Sequence, residues 1–104
     1  MEARTGSEQA LELEELNLKM NGPITADNVP MICHWLRVQM NQATIIKVCL
    51  KNIEKIDLAG FNALIHMHMN ANRLNKKLSY INCVDQRLVH LVDLTHFHDV
   101  FITE

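Results

Sequence analysis

The chain is poor in the residues that punctuate a fold or arm it for chemistry. Among 104 residues there are three glycines, two prolines, three cysteines, one tryptophan and one tyrosine. No Gly-rich phosphate loop, Gly-x-Ser-x-Gly elbow or Ser/His/Asp order occurs. No nucleophile can be paired with a base, so the reading is of a non-enzyme with no catalytic residues and no cofactor. Cys33, Cys49 and Cys83 are odd in number, far apart and lack a Cys-x-x-Cys pair. Each sits among apolar residues, which reads as a buried free thiol and a reducing, cytoplasmic setting.

Strong charge and long apolar runs are also missing. Ten basic against twelve acidic residues leave a formal net charge of -2, which gives no reason to expect nucleic acid or an anionic membrane as partner. No apolar run approaches the length that spans a bilayer, so no direct membrane insertion is expected. The start, Met1 to Gln9, lacks the apolar core of a secretory signal. Residues 1–10 read as a flexible polar lead-in and 11–104 as one domain, long enough for one core. There are no internal repeats, low-complexity tracts or linkers.

What is present alternates strand-like and helix-like segments. Leu16 to Met20 alternates apolar and polar residues, the period of a half-buried strand. Leu11 to Glu15 also alternates, but its glutamates suit a helix equally; an edge strand and a helix both remain open. Asn21-Gly22-Pro23 breaks the chain. A helix is expected from Val29 or Pro30, since proline is tolerated in a first turn, with Ile32, Trp35, Leu36, Gln39 and Met40 on one face and Asn41-Gln42 at its end. Thr44 to Leu50 is a near-continuous apolar run, as in a central strand covered on both faces. Asn52 to Lys55 then lead to Ile56.

A second helix is expected over 58–74, with Phe61, Leu64, Ile65, His68 and Ala71 inward and Asn62, His66, Asn70 and Arg73 outward. Asn75 follows, a usual left-handed cap where glycine is absent. Leu78 to Cys83 reads as a strand. Asp85 is placed to cap a third helix carrying Leu88, Val89, Leu91 and Val92. The residues Leu94 to Ile102 close the chain. Alternating strands and helices predict an α/β layer with right-handed crossovers wherever strands lie parallel.

The buried strand, the short connection and the turn Asp57-Leu58-Ala59-Gly60 at a helix start resemble the STAS domain, the family of anti-sigma-factor antagonists and sulphate-transporter tails. The resemblance covers roughly residues 16 to 102, including the closing Val-Phe segment. It implies an α/β fold, a single domain with a mixed sheet of four to five strands and three to four helices. It also implies a protein partner: an anti-sigma kinase, a stressosome-like assembly or a transporter subunit. The alternative it implies is that the chain is itself a STAS domain regulating or attached to a membrane transporter, as a sulphate-permease tail or an ABC-transporter accessory subunit. In the antagonists the residue after the aspartate is usually a serine or threonine that a kinase phosphorylates. Here it is Leu58, which cannot accept phosphate, and no other Ser or Thr occupies the turn.

Asp57, Leu58, Ala59, Gly60, Asn62 and His66 are therefore the candidate partner-binding residues. Positions 58, 62 and 66 lie nearly above one another on a helix. Two readings stand for several of them. Asp57 caps the helix, alone or with a binding role. Gly60 permits a close backbone approach or meets a partner. Leu58 is an apolar knob or folds onto neighbouring strands.

Six histidines raise the question of a metal, and the reading is that there is none. His66 and His68 point about 160° apart on a helix. His96 and His98, with Asp93 or Asp99, fall short of the usual three or four ligands. His68, on the apolar face, reads as a hydrogen-bonded core histidine.

Overall fold

Gly22, at φ +82°, bends the first extended segment of the protein into two strands. In a computed structural model, which describes residues 13–102, these are β1 (Leu13–Lys19) and β2 (Gly22–Ile24). A 3-10 turn (Ala26–Asn28) leads into α1 (Val29–Met40), with Pro30 in its first turn. Then follow β3 (Ala43–Cys49), β4 (Ile53–Ile56), α2 (Leu58–Arg73), β5 (Lys77–Ile81) and α3 (Gln86–Thr95). The expected lead-in, and residues 11 and 12 of the ambiguous segment, lie outside the described residues. Residues 13–15 of that segment belong to β1.

The expected α/β architecture is present, with the five strands of the described residues divided between two ladders. One sheet has the order β1-β3-β5, and β2 pairs with β4 beyond the bend. All three pairings run parallel, which the crossovers through α1 and α2 make natural. Past α3 the chain returns to the outer edge of β5, where Phe101 bridges to Tyr80. The Tyr80 amide donates to the Val100 carbonyl at 2.9 Å and the Ile102 amide to the Tyr80 carbonyl at 2.8 Å.

β3 is central, but it is not covered on both faces as its apolar run suggested. Ile46 and Val48 are fully buried, with Leu78 and Tyr80 beside them on β5. Ile45, Lys47 and Cys49 point the other way and are only half-buried. The buried face joins Ile32, Leu36 and Met40 of α1 and Phe61, Leu64 and Met67 of α2 in one core. Segment 52–55, expected as a connector, is mostly strand. Ile53 and Ile56 are buried while Glu54 and Lys55 are exposed, a pattern with no strand period that only its pairing with β2 makes legible.

Several local expectations match. Asn75 takes φ +61° after α2, and the Lys76 amide donates back to the Ala71 carbonyl at 2.8 Å, closing the helix end. Asp85 accepts from the Arg87 and Leu88 amides at 3.0 and 3.2 Å, satisfying two otherwise free donors of α3. Of the three thiols, all free, Cys83 is buried, whereas Cys33 and Cys49 are half-buried; both lie where their element is incompletely covered. No helix among the described residues is long and apolar enough to cross a membrane.

Candidate functional site

The turn between β4 and α2 is locked by one carboxylate. Asp57 leaves β4 in an extended conformation, and its Oδ1 accepts from the Gly60 amide at 2.8 Å. Its Oδ2 accepts from the Ala26 amide at 3.1 Å, across to the segment after β2. The Asp57 amide donates to the Ile24 carbonyl at 3.2 Å. The Gly60 amide, and after it the Ala26 amide, hold the carboxyl below its ordinary value of 3.8, because both bonds favour the charged form. The side chain is exposed, so it is an ionised cap open to solvent.

Gly60 lies beneath this turn rather than on it. It is buried, and a β-carbon there would stand 2.0 Å from the Ile24 carbonyl oxygen and 2.6 Å from its carbon. That is backbone against backbone, so only glycine lets α2 approach β2 so closely. Leu58 faces the other way with 60% of its surface exposed, and Ala59, Asn62 and His66 are exposed as well. Leu58, Asn62 and His66 form one strip along α2, and Gly60 is the member of the candidate set that turns inward.

Further along α2 the strip opens into a groove of about 690 Å³ between α1 and α2, where His66 is joined by Cys33, Arg37, Met69 and Arg73. The α1 side of this groove escaped the sequence reading. One signal could have found it: α1 and α2 carry Arg37, Arg73, His34, His66 and His68 but no Asp or Glu, although acids outnumber bases in the whole chain.

The remaining histidines do not converge. His68 is half-buried and donates from Nδ1 to the Leu78 carbonyl at 2.7 Å, which fixes its tautomer because a carbonyl only accepts. Its Nε2 then accepts from Asn72 at 3.3 Å. His98 meets Asp93 at 3.0 Å, and its ring centre lies 6.4 Å from that of His96. Among the described residues no group of three or more His, Cys, Asp or Glu side chains is placed to hold a metal ion.

No family model and no curated protein matches the chain. Among solved structures it is similar to a sulfate transporter family protein from Wolinella succinogenes, with TM-score 0.66 and 16% identity over 88% of this chain and 77% of that one. It is also similar to the STAS domain of a SulP transporter from Vibrio cholerae, with TM-score 0.58 and 19% identity over 95% and 86% of the two chains. A third likeness is to the anti-sigma factor antagonist SpoIIAA in its unphosphorylated form, with TM-score 0.58 and 13% identity over 76% and 74%. The chain has the STAS-domain fold.

Proposed function

We propose that this STAS-fold domain is a non-catalytic, cytoplasmic protein-protein interaction module that docks through the first turn of α2. The observation that carries this reading is Leu58, a 60% exposed leucine on a turn that Asp57 ties to two separate segments. An apolar side chain presented on a backbone that is already fixed saves the cost of ordering that turn on binding and gains the burial of its surface. Asn62 and His66 supply the polar rim, and the acid-free groove between α1 and α2 suits a partner that brings carboxylates. The partner is an anti-sigma kinase-like protein, a stressosome-like assembly or a transporter subunit. Leu58 stands where antagonists carry the phosphorylated hydroxyl, so docking here works without that switch.

A second reading is a regulatory domain of a membrane transporter, either a sulphate-permease tail or an accessory subunit of an ABC transporter. Its support is the likeness to two transporter-derived domains over 88% and 95% of this chain. The neighbouring genes discriminate: an ATPase of the kinase type favours the first reading and a permease or lipid-transport operon the second.

The test is Leu58→Glu, with copurification against the products of those neighbouring genes and a circular dichroism melt alongside. The variant is expected to fold and to lose roughly 2 kcal/mol or more of binding, since a charge replaces buried apolar contact. Normal binding by a folded variant would move the interface elsewhere. Intact-mass analysis after incubation with the nearest encoded kinase checks the missing switch. A stoichiometric phosphate within residues 56–62 would overturn that part.

A further inference from the structure

The outer edge of β1 is a surface separate from the Leu58 turn. Among the described residues β1 is the terminal strand of the sheet β1-β3-β5 and pairs on one side only, with β3. No described strand lies against its other side, where alternate N–H and C=O groups of Leu13–Lys19 point outward. Proteins commonly protect such edges with charge, and charges of a single sign would repel a second copy. Here the signs differ. Glu15 and Lys19 lie on one face of the strand, two residues either side of Asn17, and all three are exposed. Glu15 also meets Lys47 of β3 at 3.5 Å and accepts from Asn17 at 3.2 Å, and an ionised carboxylate has acceptor sites left for a second cation. On the helix-covered face Leu16 and Leu18 flank Asn17 and are only half-buried against the core, because the sheet stops at β1.

We infer that β1 pairs antiparallel with β1 of a second copy of this chain, about a twofold axis at Asn17, joining two three-stranded sheets into one of six strands. That register places Glu15 opposite Lys19 of the second copy and, by symmetry, Lys19 opposite its Glu15. It also sets Leu16 opposite Leu18 and Leu18 opposite Leu16, which continues each apolar face across the seam. Shifting the register by two residues puts Glu15 opposite Asn17 and loses both charge pairs. The arrangement is isologous, with one patch meeting itself, so it closes as a dimer. At the same edge, Met20, Met31 and Trp35 line a shallow depression of about 260 Å³, which adds apolar surface beside the seam. The seam lies on β1 and leaves the Leu58 turn out of the pairing.

The experiment is sedimentation equilibrium on the whole chain over a concentration series reaching about 1 mM, so that even a millimolar dimer is seen. The wild type is expected to dimerise. Lys19→Glu sets like charges opposite each other at both ends of the seam and should weaken the dimer about tenfold or more. Glu15→Lys should do the same. The double reversal, Glu15→Lys with Lys19→Glu, made together with Lys47→Glu so that the ion pair between positions 15 and 47 is kept, restores both cross-seam pairs and should restore the dimer, which no loss of folding would mimic. A wild type that stays monomeric throughout would overturn the inference. So would a dimer indifferent to the single reversals, or one that the double reversal fails to rescue.

Discussion

The Asp57 carboxylate and the Ala26 amide, 31 residues apart in sequence, meet at 3.1 Å. That bond joins the start of α2 to the segment after β2, while the other carboxylate oxygen caps the helix at Gly60. One side chain therefore sets both the angle at which α2 begins and the position of the exposed Leu58.

Asp57→Ala removes both bonds and leaves two amides to solvent. A fall in Tm of roughly 5 °C is expected for a domain of this size, with the fold retained. The effect depends on pH in a definite direction. The folded carboxyl lies below its ordinary 3.8, so its contribution is fully present above that value and is lost as pH falls through the lower folded value. Melts of wild type and variant from pH 7 to pH 2 should show a gap that is constant at first and closes in acid. A gap that persists unchanged in acid would contradict the role of the charge.

Gly60→Ala sets two effects of opposite sign against each other. Alanine favours a helix over glycine by about 1 kcal/mol. Its β-carbon, however, would stand 2.0 Å from the Ile24 carbonyl oxygen, and neither backbone can give without moving α2 off β2. The steric cost should win, for a net loss of about 2–3 kcal/mol in urea denaturation. An alanine variant as stable as the wild type would mean that the approach is looser than described.

These two residues also mark how far the sequence reaches. Asp57 was legible because a carboxylate before a helical run has one common use, and its cap can be inferred locally. Its second bond, to Ala26, was not, since nothing in the sequence places β2 beside β4. The same holds for β4, whose Ile53-Glu-Lys-Ile56 has neither a strand period nor a helical one and becomes a strand only through its partner. The β3 run misled differently. Ile45 and Cys49 are as apolar as Ile46 and Val48, so composition could not reveal that their side of β3 is only half-buried. Of the candidate site, the exposed strip along α2 followed from helical spacing. The basic groove needed α1 brought alongside.

The aromatic stack inside the core should respond sharply to truncation. Phe101 stacks at 5.1 Å on both Phe61 and Tyr80, with interplanar angles of 16° and 18°, and the Tyr80 hydroxyl donates to the Leu64 carbonyl at 2.8 Å. Phe101→Ala should cost about 4 kcal/mol and Tyr80→Phe about 1 kcal/mol. Burial pushes the Tyr80 phenol well above its ordinary 10.0. Its contribution is intact below pH 10 and is lost as pH rises beyond the value of the unfolded chain. Because the chain has a single tyrosine, ultraviolet titration reports it alone. Ionisation should coincide with alkaline unfolding, and a phenolate appearing in the folded protein near pH 10 would refute the burial.

The thiols should separate by reactivity, because their surroundings push them in opposite directions. Asn82 donates to the Cys49 sulfur at 3.3 Å, and this bond, with the Lys51 amide and the nearby Lys19 and Lys51 charges, lowers the Cys49 pKa below its ordinary 9.0. Cys83 is buried, and burial raises its thiol to about 12. Since the thiolate is the nucleophile, iodoacetamide at pH 8 should alkylate Cys49 well before Cys83, as followed by peptide mass spectrometry. The Cys83 rate should instead track unfolding. Replacing the donor in Asn82→Leu should slow Cys49 and move its rate profile to higher pH, leaving Cys83 where it was. Asn82 sits at φ +56°, a conformation asparagine tolerates better than leucine, so some loss of stability should accompany the change. An Asn82→Gly variant separates the two causes, since glycine removes the donor and keeps the backbone at ease. Equal rates for Cys49 and Cys83 in the folded wild type would show that neither environment acts as described.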